Sequence, residues 1–208
     1  MLSTETIMTF FSVSVLLGLA PGPDNIFVLT QSALRGKGPG LIVMLGLCTG
    51  LIAHTIAVSL GVAIIFQTSI LAFSVLKLLG AAYLVYLAWQ AFRASAETIQ
   101  GGPEGIVSYR KLYARGIIMN ITNPKVSIFF LAFLPQFTEP TKGPVAVQLV
   151  LLGGLFILAT ILVFGGIALL AGTLGGLLKR SDRTQNILNK IAGTVFMGLA
   201  LKLATIRQ

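Results

Sequence analysis

The sequence predicts an all-α membrane protein of six transmembrane helices, arranged as two inverted three-helix repeats with broken first and fourth helices. Three observations support this prediction: the composition, six long apolar segments, and charged residues beside prolines within two of those segments. Of the 208 residues, 55% are hydrophobic and 10% are charged, with a mean hydropathy of +0.92. Soluble domains contain roughly 25% charged residues. This chain therefore has too much apolar surface for a soluble fold.

Six apolar segments are long enough to cross a bilayer, which takes about 20 residues at 1.5 Å each. They are residues 7–29, 41–66, 70–92, 112–134, 145–178 and 187–205. We expect helices, because barrel strands would show about 10 residues of alternating polarity. The predicted organisation is a single integral membrane domain, 1–208, with a first repeat at 1–92, a cytoplasmic loop at 93–111 and a second repeat at 112–208.

The distribution of positive charge predicts the orientation. If all six segments span, ten Lys and Arg residues fall in loops on one side and only Lys142 and Arg207 on the other. Positive residues favour the cytoplasmic side, so both termini are predicted to be periplasmic. The net charge of +9 is spread thinly between apolar segments, which argues against nucleic-acid binding.

Prolines interrupt the first and fourth segments. Proline removes a helix hydrogen bond and clashes with the preceding turn, so we expect each helix to break there. Irregular backbone at membrane depth has to be buried by protein or line a polar cavity. Breaks at corresponding places in two halves are typical of a small-solute site in transporters. The predicted break residues are Pro21, Gly22, Pro23 and Pro124.

Charged and polar side chains accompany both breaks. Asp24 and Asn25 follow the first, Asn123 and Lys125 flank the second, and Asn120 lies nearby. A charge at the bilayer centre costs about 2.5–3.5 kcal/mol, so we expect the two charges to share a cavity. There they neutralise one another or bind opposite ends of a zwitterion such as an amino acid. Asp24, Asn25, Asn123 and Lys125 are the predicted substrate-binding residues; the alternative is an ion pair that only fixes helix register.

A short internal repeat suggests how the halves are related. The segment that begins at Lys77 and contains Gly80 reappears loosely from Lys190, where Gly193 takes the same place. Three spans per copy is an odd number, so the second copy has to enter the membrane from the opposite side.

Other residues have smaller predicted roles. His54 can exchange protons near neutral pH, and with Asp24 it is a candidate for proton coupling; an interhelical hydrogen bond is the preferred alternative for His54. Gly46 and Gly50 permit close helix contact, within one chain or across a possible homodimer. Cys48 is the single cysteine, so an intrachain disulfide is excluded. The spans lack clustered metal ligands, so no metal or other cofactor is expected.

Several motifs, in their order and spacing, resemble the LysE/RhtB family of amino-acid exporters of bacterial inner membranes. The resemblance covers almost the whole chain. It rests on Pro21-Gly22-Pro23-Asp24, on Gly46 and Gly50 with His54, on Lys77 with Gly80, on Asn123-Pro124-Lys125 and on Leu134-Pro135-Gln136-Phe137.

The resemblance implies efflux of small amino acids or derivatives, commonly threonine, homoserine, homoserine lactone, leucine or lysine. It also implies antiport with protons across the inner membrane, and it carries over the two motifs at the breaks as the substrate and coupling region. The alternatives are an intramembrane enzyme, for which neither a Ser/His/Asp set nor a P-loop is present, and a membrane assembly factor without transport activity. We therefore predict a transporter working by alternating access, and not an enzyme.

Overall fold

The computed structural model describes residues 2–20, 22–68, 70–93, 108–178 and 182–205. Within these ranges the secondary structure is entirely helical, without β-strands. The α-helices are α1 (Thr4–Leu19), α2 (Pro23–Arg35), α3 (Lys37–Thr68), α4 (Ile70–Arg93), α5 (Tyr109–Thr122), α6 (Pro124–Ile128), α7 (Val145–Leu178) and α8 (Asp182–Thr205). Of the predicted cytoplasmic loop, residues 94–107 lie outside the described residues.

The first predicted span consists of two helices, α1 and α2, whose axes meet at 61°. The backbone of Ala20 and of Gly22 is extended, which ends α1 and separates it from α2. Pro23 occupies the first position of α2, where the missing N–H removes no helix hydrogen bond. The break lies where the sequence predicts it, and Gly22 and Pro23 are part of it; the predicted break residue Pro21 lies outside the described residues.

The fourth predicted span is broken in the same way, with an angle of 51° between α5 and the segment that begins at Pro124. Asn123 ends α5 and begins α6, and its side-chain oxygen accepts a hydrogen bond from the Lys125 backbone N–H at 3.0 Å. After α6 the chain continues as one turn of π-helix, Phe129–Phe133, and then as a 3₁₀ turn, Leu134–Phe137. A further 3₁₀ turn, Pro140–Lys142, leads to α7.

Two straight helical segments in the described residues are long and apolar enough to cross a membrane, Lys37–Gly61 of α3 and Val145–Ala171 of α7. Each bent pair of helices also meets this criterion when taken as one span, which makes four. The two remaining predicted segments form α4 and α8, and α8 contains the shorter apolar stretch Asn189–Leu201.

Close helix contacts hold the two broken helices beside the straight ones. α3 packs against α2, α5 and α7, α1 packs against α7, and α4 packs against α8. At the crossing of α3 and α5, a Cβ atom on Gly46 would collide with the Tyr113 carbonyl oxygen, and one on Gly116 would lie 2.6 Å from the Val43 carbonyl oxygen. The two backbones therefore touch. Gly50, one turn along α3, leaves the space that the Asn120 side chain fills.

Candidate functional site

The two helix breaks meet inside the protein, and Lys125 connects them. Its ammonium group donates hydrogen bonds to the carbonyl oxygens of Ala20 at 3.1 Å and of Leu17 at 3.5 Å. Carbonyls in the last turn of a helix have no partner in their own helix and carry a partial negative charge. Lys125, from the second half of the chain, thus caps α1 in the first half. Its side chain is 9% exposed.

Gly22 makes room for this contact. A Cβ atom at position 22 would lie 2.9 Å from the Lys125 ammonium nitrogen, so a larger residue would push the side chain away from α1. The contact between Lys125 and α1 therefore depends on a glycine at position 22.

Asp24 lies on the other side of the first break, in the first turn of α2, and is 3% exposed. The helix N-terminus there favours a negative charge. Asp24 and Lys125 are close enough to interact electrostatically, but their charged groups do not approach within the 4.0 Å of a salt bridge. The two charges therefore do not form a direct salt bridge in this conformation. The reason is that Lys125 is turned toward the carbonyls of α1.

Three asparagines accompany Asp24 at the two breaks. Asn25 donates to the Gly18 carbonyl oxygen at 2.5 Å, while Asn120 and Asn123 lie beside the carboxylate itself. Several buried polar atoms at this point have no hydrogen-bond partner within 3.5 Å: Asp24 Oδ1, Asn25 Oδ1, Asn120 Oδ1 and Asn123 Nδ2. Buried polar atoms are almost always paired. A cluster of exceptions, three acceptors and one donor, is typical of a site that binds a polar ligand.

Asn120 is the residue that the sequence-based site prediction missed. It precedes Asn123 by one helical turn, so it lies on the face of α5 that ends at the break. Its buried side chain sits against Gly50 of α3. The available signal was this spacing, together with the glycine opposite, but only the structure brings α3 and α5 together at that point.

His54 contacts the second break from α3. Its Nε2 atom lies 3.2 Å from the Asn120 carbonyl oxygen, and its ring lies 5.5 Å from the ring of Phe130. The side chain is half-buried. The interhelical hydrogen bond predicted as the alternative role of His54 is therefore present, and it serves a carbonyl in the last turn of α5 much as Lys125 serves those of α1.

Comparison with known proteins places this site in a family context. Residues 15–207 match the family model described as LysE type translocator. The chain belongs to the LysE-type translocator family. It is therefore a membrane protein of a family of transporters, not of enzymes, as the motifs at the two breaks predicted.

Named relatives cover nearly the full length of the chain. A homoserine/homoserine lactone efflux protein of Salmonella typhimurium is 35% identical over 199 residues, which is 96% of each chain. A leucine efflux protein of Salmonella choleraesuis is 26% identical, over 96% of this chain and 95% of the relative. A membrane protein of Bacillus subtilis is 27% identical, over 95% and 98%. No solved structure matches the chain.

Proposed function

We propose that this LysE-type translocator exports a small amino acid or amino-acid derivative, which it binds between Asp24 and Lys125 where the two broken helices meet. The observation that carries the proposal is the cluster of unpaired buried polar atoms around two opposite charges that do not pair with each other. Charged groups inside a membrane domain are functional by default, and two separated opposite charges match the two ends of a zwitterion.

The acceptors of the cluster suit the ammonium end of such a solute. A primary ammonium group has three N–H donors. Three buried acceptors at the breaks are unpaired: one carboxylate oxygen of Asp24 and the amide oxygens of Asn25 and Asn120, the last of which lies beside Gly50 of α3. When ionised, the Asp24 carboxylate supplies most of the attraction, and the amides add orientation.

The donors of the cluster suit the other end of the solute. The Lys125 ammonium has three protons, of which two point to the carbonyls of α1, leaving one for a ligand. The unpaired Asn123 Nδ2, on a side chain that lies beside the Asp24 carboxylate, is a second donor at the breaks. Together they fit a carboxylate, as in threonine, homoserine or leucine. The carbonyl oxygen of homoserine lactone also fits, because it accepts the same hydrogen bonds without carrying a charge.

For the architecture we propose six spans in a single membrane domain, related as two inverted repeats: residues 1–92 and 112–208 on either side of the cytoplasmic loop 93–111. Reciprocal packing supports this arrangement. α1 of the first half packs against α7 of the second, while α5 of the second half packs against α3 of the first. Rocking of the repeats about the breaks provides alternating access.

The same proposal places the protein in the bacterial inner membrane with both termini in the periplasm, because the loops on the opposite side contain ten of the Lys and Arg residues. A homodimer stays a prediction. Gly46 and Gly50 do not support it, because both glycines contact α5 of the same chain.

For coupling we propose proton exchange at Asp24, with His54 as the second candidate. The Asp24 carboxylate can bind either a solute ammonium or a proton, but not both at once. This competition is enough to couple solute efflux to proton entry. His54 already has a structural hydrogen bond in this conformation, which favours Asp24.

The test is flux of labelled homoserine, threonine and leucine in proteoliposomes, with and without a pH gradient. We expect at least one of these solutes to be transported and Asp24→Asn and Lys125→Ala each to abolish that flux at normal protein abundance. Lys111→Ala, on the exposed face of α5, is the matched control for charge removal. Full flux in Asp24→Asn or in Lys125→Ala would overturn the proposed site.

A further inference from the structure

A cavity of about 370 Å³ lies at the far end of α1 from the break. Thr6 and Thr9 of α1 line one side, and Gln136, Glu139 and Lys142 line the other. Its volume is within the range of small-molecule sites, roughly 300–1,000 Å³. Glu139 and Lys142 form an ion pair at 2.9 Å that is half-exposed, so both signs of charge lie at its rim, and Glu5 of α1 adds a second carboxylate.

Aromatic rings close the inner end of this cavity. Phe133 and Phe137 line it, although both side chains are almost fully buried. Phe133 stacks against Phe129 with ring centres 4.9 Å apart, and Phe10 of α1 packs against Phe137 at 5.1 Å and against Phe129 at 6.1 Å. We name these four rings, Phe10, Phe129, Phe133 and Phe137, the phenylalanine cluster.

The cluster leads from the cavity to the site at the breaks. Lys125, Phe129, Phe133 and Phe137 follow one another at intervals of four residues, and ring contacts join Phe129 to Phe133 at 4.9 Å and Phe133 to Phe137 at 5.1 Å. The Phe129 backbone N–H donates to the carbonyl oxygen of Lys125 itself. The cavity, the phenylalanine cluster and the lysine therefore form one row.

α1 supplies the opposite wall of this row in the same order. Thr6 and Thr9 are at the cavity, Phe10 is in the cluster, and the carbonyls of Leu17 and Ala20 are at Lys125. α1 has 16 residues, a length of about 24 Å. We call this line of side-chain contacts between α1 and residues 125–137, made by Phe10 and by Lys125, the seam; most of the helix packing of α1 is against α7.

We propose that this seam is the exit path of the solute, that the cavity is its outer vestibule, and that the phenylalanine cluster is the gate that closes the path. The proposal rests on the proposed function, because it takes the site at the breaks as the point of departure. The ion pair at the rim offers both ends of a zwitterion a partner before release. The contacts between the four rings are apolar, and Phe129 also contacts Phe156 of α7 with ring centres 5.2 Å apart.

The backbone beneath the gate supports this role. Phe129 and Phe133 begin and end the π-helical turn, a distortion that is frequent at functional sites in otherwise regular helices. Two of the four gate rings are thus carried by the least regular turn of the segment.

Cysteine labelling tests the path without requiring transport. In a Cys48→Ala background, Thr9→Cys reports on the vestibule and Ala20→Cys on the site, each probed with a small membrane-impermeant thiol reagent in spheroplasts and in inside-out vesicles. We expect T9C to react from outside only, and A20C to react slowly from outside. Adding Phe133→Ala should raise the outside rate of A20C about tenfold, because opening the gate raises the accessible fraction in proportion.

Phe164→Ala is the matched control, since Phe164 is also buried, at 6% exposure against 1% for Phe133, but belongs to a second hydrophobic cluster of the described residues. Equal labelling of A20C in the Phe133→Ala and Phe164→Ala backgrounds would overturn the gate, and reaction of T9C from the cytoplasmic side only would overturn the vestibule. If F133A accumulates poorly, Phe133→Leu should give a smaller rise in the same direction. If T9C and A20C react as expected but no solute is transported, the exit path is supported and the proposed transport function is rejected. If solute is transported but the two cysteines do not react as expected, the transport function is supported and the exit path is rejected.

Discussion

Replacing Lys125 by methionine should loosen the contact between the two halves of the protein. Methionine retains most of the length and apolar surface of lysine but lacks the ammonium group, which donates at 3.1 Å to the Ala20 carbonyl oxygen and at 3.5 Å to that of Leu17. The substitution therefore leaves the last turn of α1 without its partner, while packing around the side-chain stem changes little.

The expected loss follows from these two distances. A hydrogen bond from a charged donor contributes about 1.5–3 kcal/mol to stability. The bond to Leu17 is at the outer limit of hydrogen-bond length, so we count only the bond to Ala20. Removing a buried ammonium also removes its desolvation cost, which offsets part of the loss. We expect the free energy of unfolding to fall by roughly 1–2 kcal/mol.

Thermal unfolding of the purified protein in detergent measures this change. For a chain of this length, 1 kcal/mol corresponds to about 2–4 °C, so the Tm of Lys125→Met should fall by about 2–8 °C. Lys125→Arg, which retains donors, should unfold near the native temperature, and Lys111→Met is the control for loss of an exposed charge. A Tm for K125M equal to or above that of K111M would refute the capping of α1 by Lys125.

Three further predictions concern the neighbouring contacts. Gly46→Ala should lower stability by about 1–3 kcal/mol in the same assay, because its Cβ atom meets backbone on α5, whereas Gly154→Ala, with open space around its Cβ position, should leave Tm unchanged. Asn120→Ala should raise the KM for solute about tenfold, the effect of losing one hydrogen bond of about 1.4 kcal/mol; an unchanged KM would remove Asn120 from the site. His54→Gln should retain stimulation of flux by a pH gradient, and loss of that stimulation would assign the coupling proton to His54.

The sequence was informative about the breaks because proline and buried charge have few alternative explanations in an apolar segment. Pro23 and Pro124 each begin a new helix as expected, and Asp24 and Lys125 are brought together in the interior. Local backbone chemistry determines these features, so they can be read from neighbouring residues alone.

Contacts between distant segments could not be read in this way. That Lys125 binds the carbonyls of α1 instead of Asp24 depends on how far α1 and α6 approach, which in turn depends on Gly22. The role of Asn120 depends on the close crossing of α3 and α5. The residues from Lys125 to Phe137 have a regular spacing in the sequence. That Phe10 of α1 packs against two of them could be seen only in the structure.

In the proposed site, Asp24 binds the ammonium end of the solute and Lys125 the opposite end. The most direct measurement compares the efflux of homoserine, which has a carboxylate, with that of homoserine lactone, which has an uncharged carbonyl instead. We expect Asp24→Asn to abolish efflux of both solutes, and Lys125→Met to reduce efflux of homoserine much more than that of the lactone. Equal losses for the two solutes in K125M, or efflux of either solute by D24N at the native rate, would contradict the account.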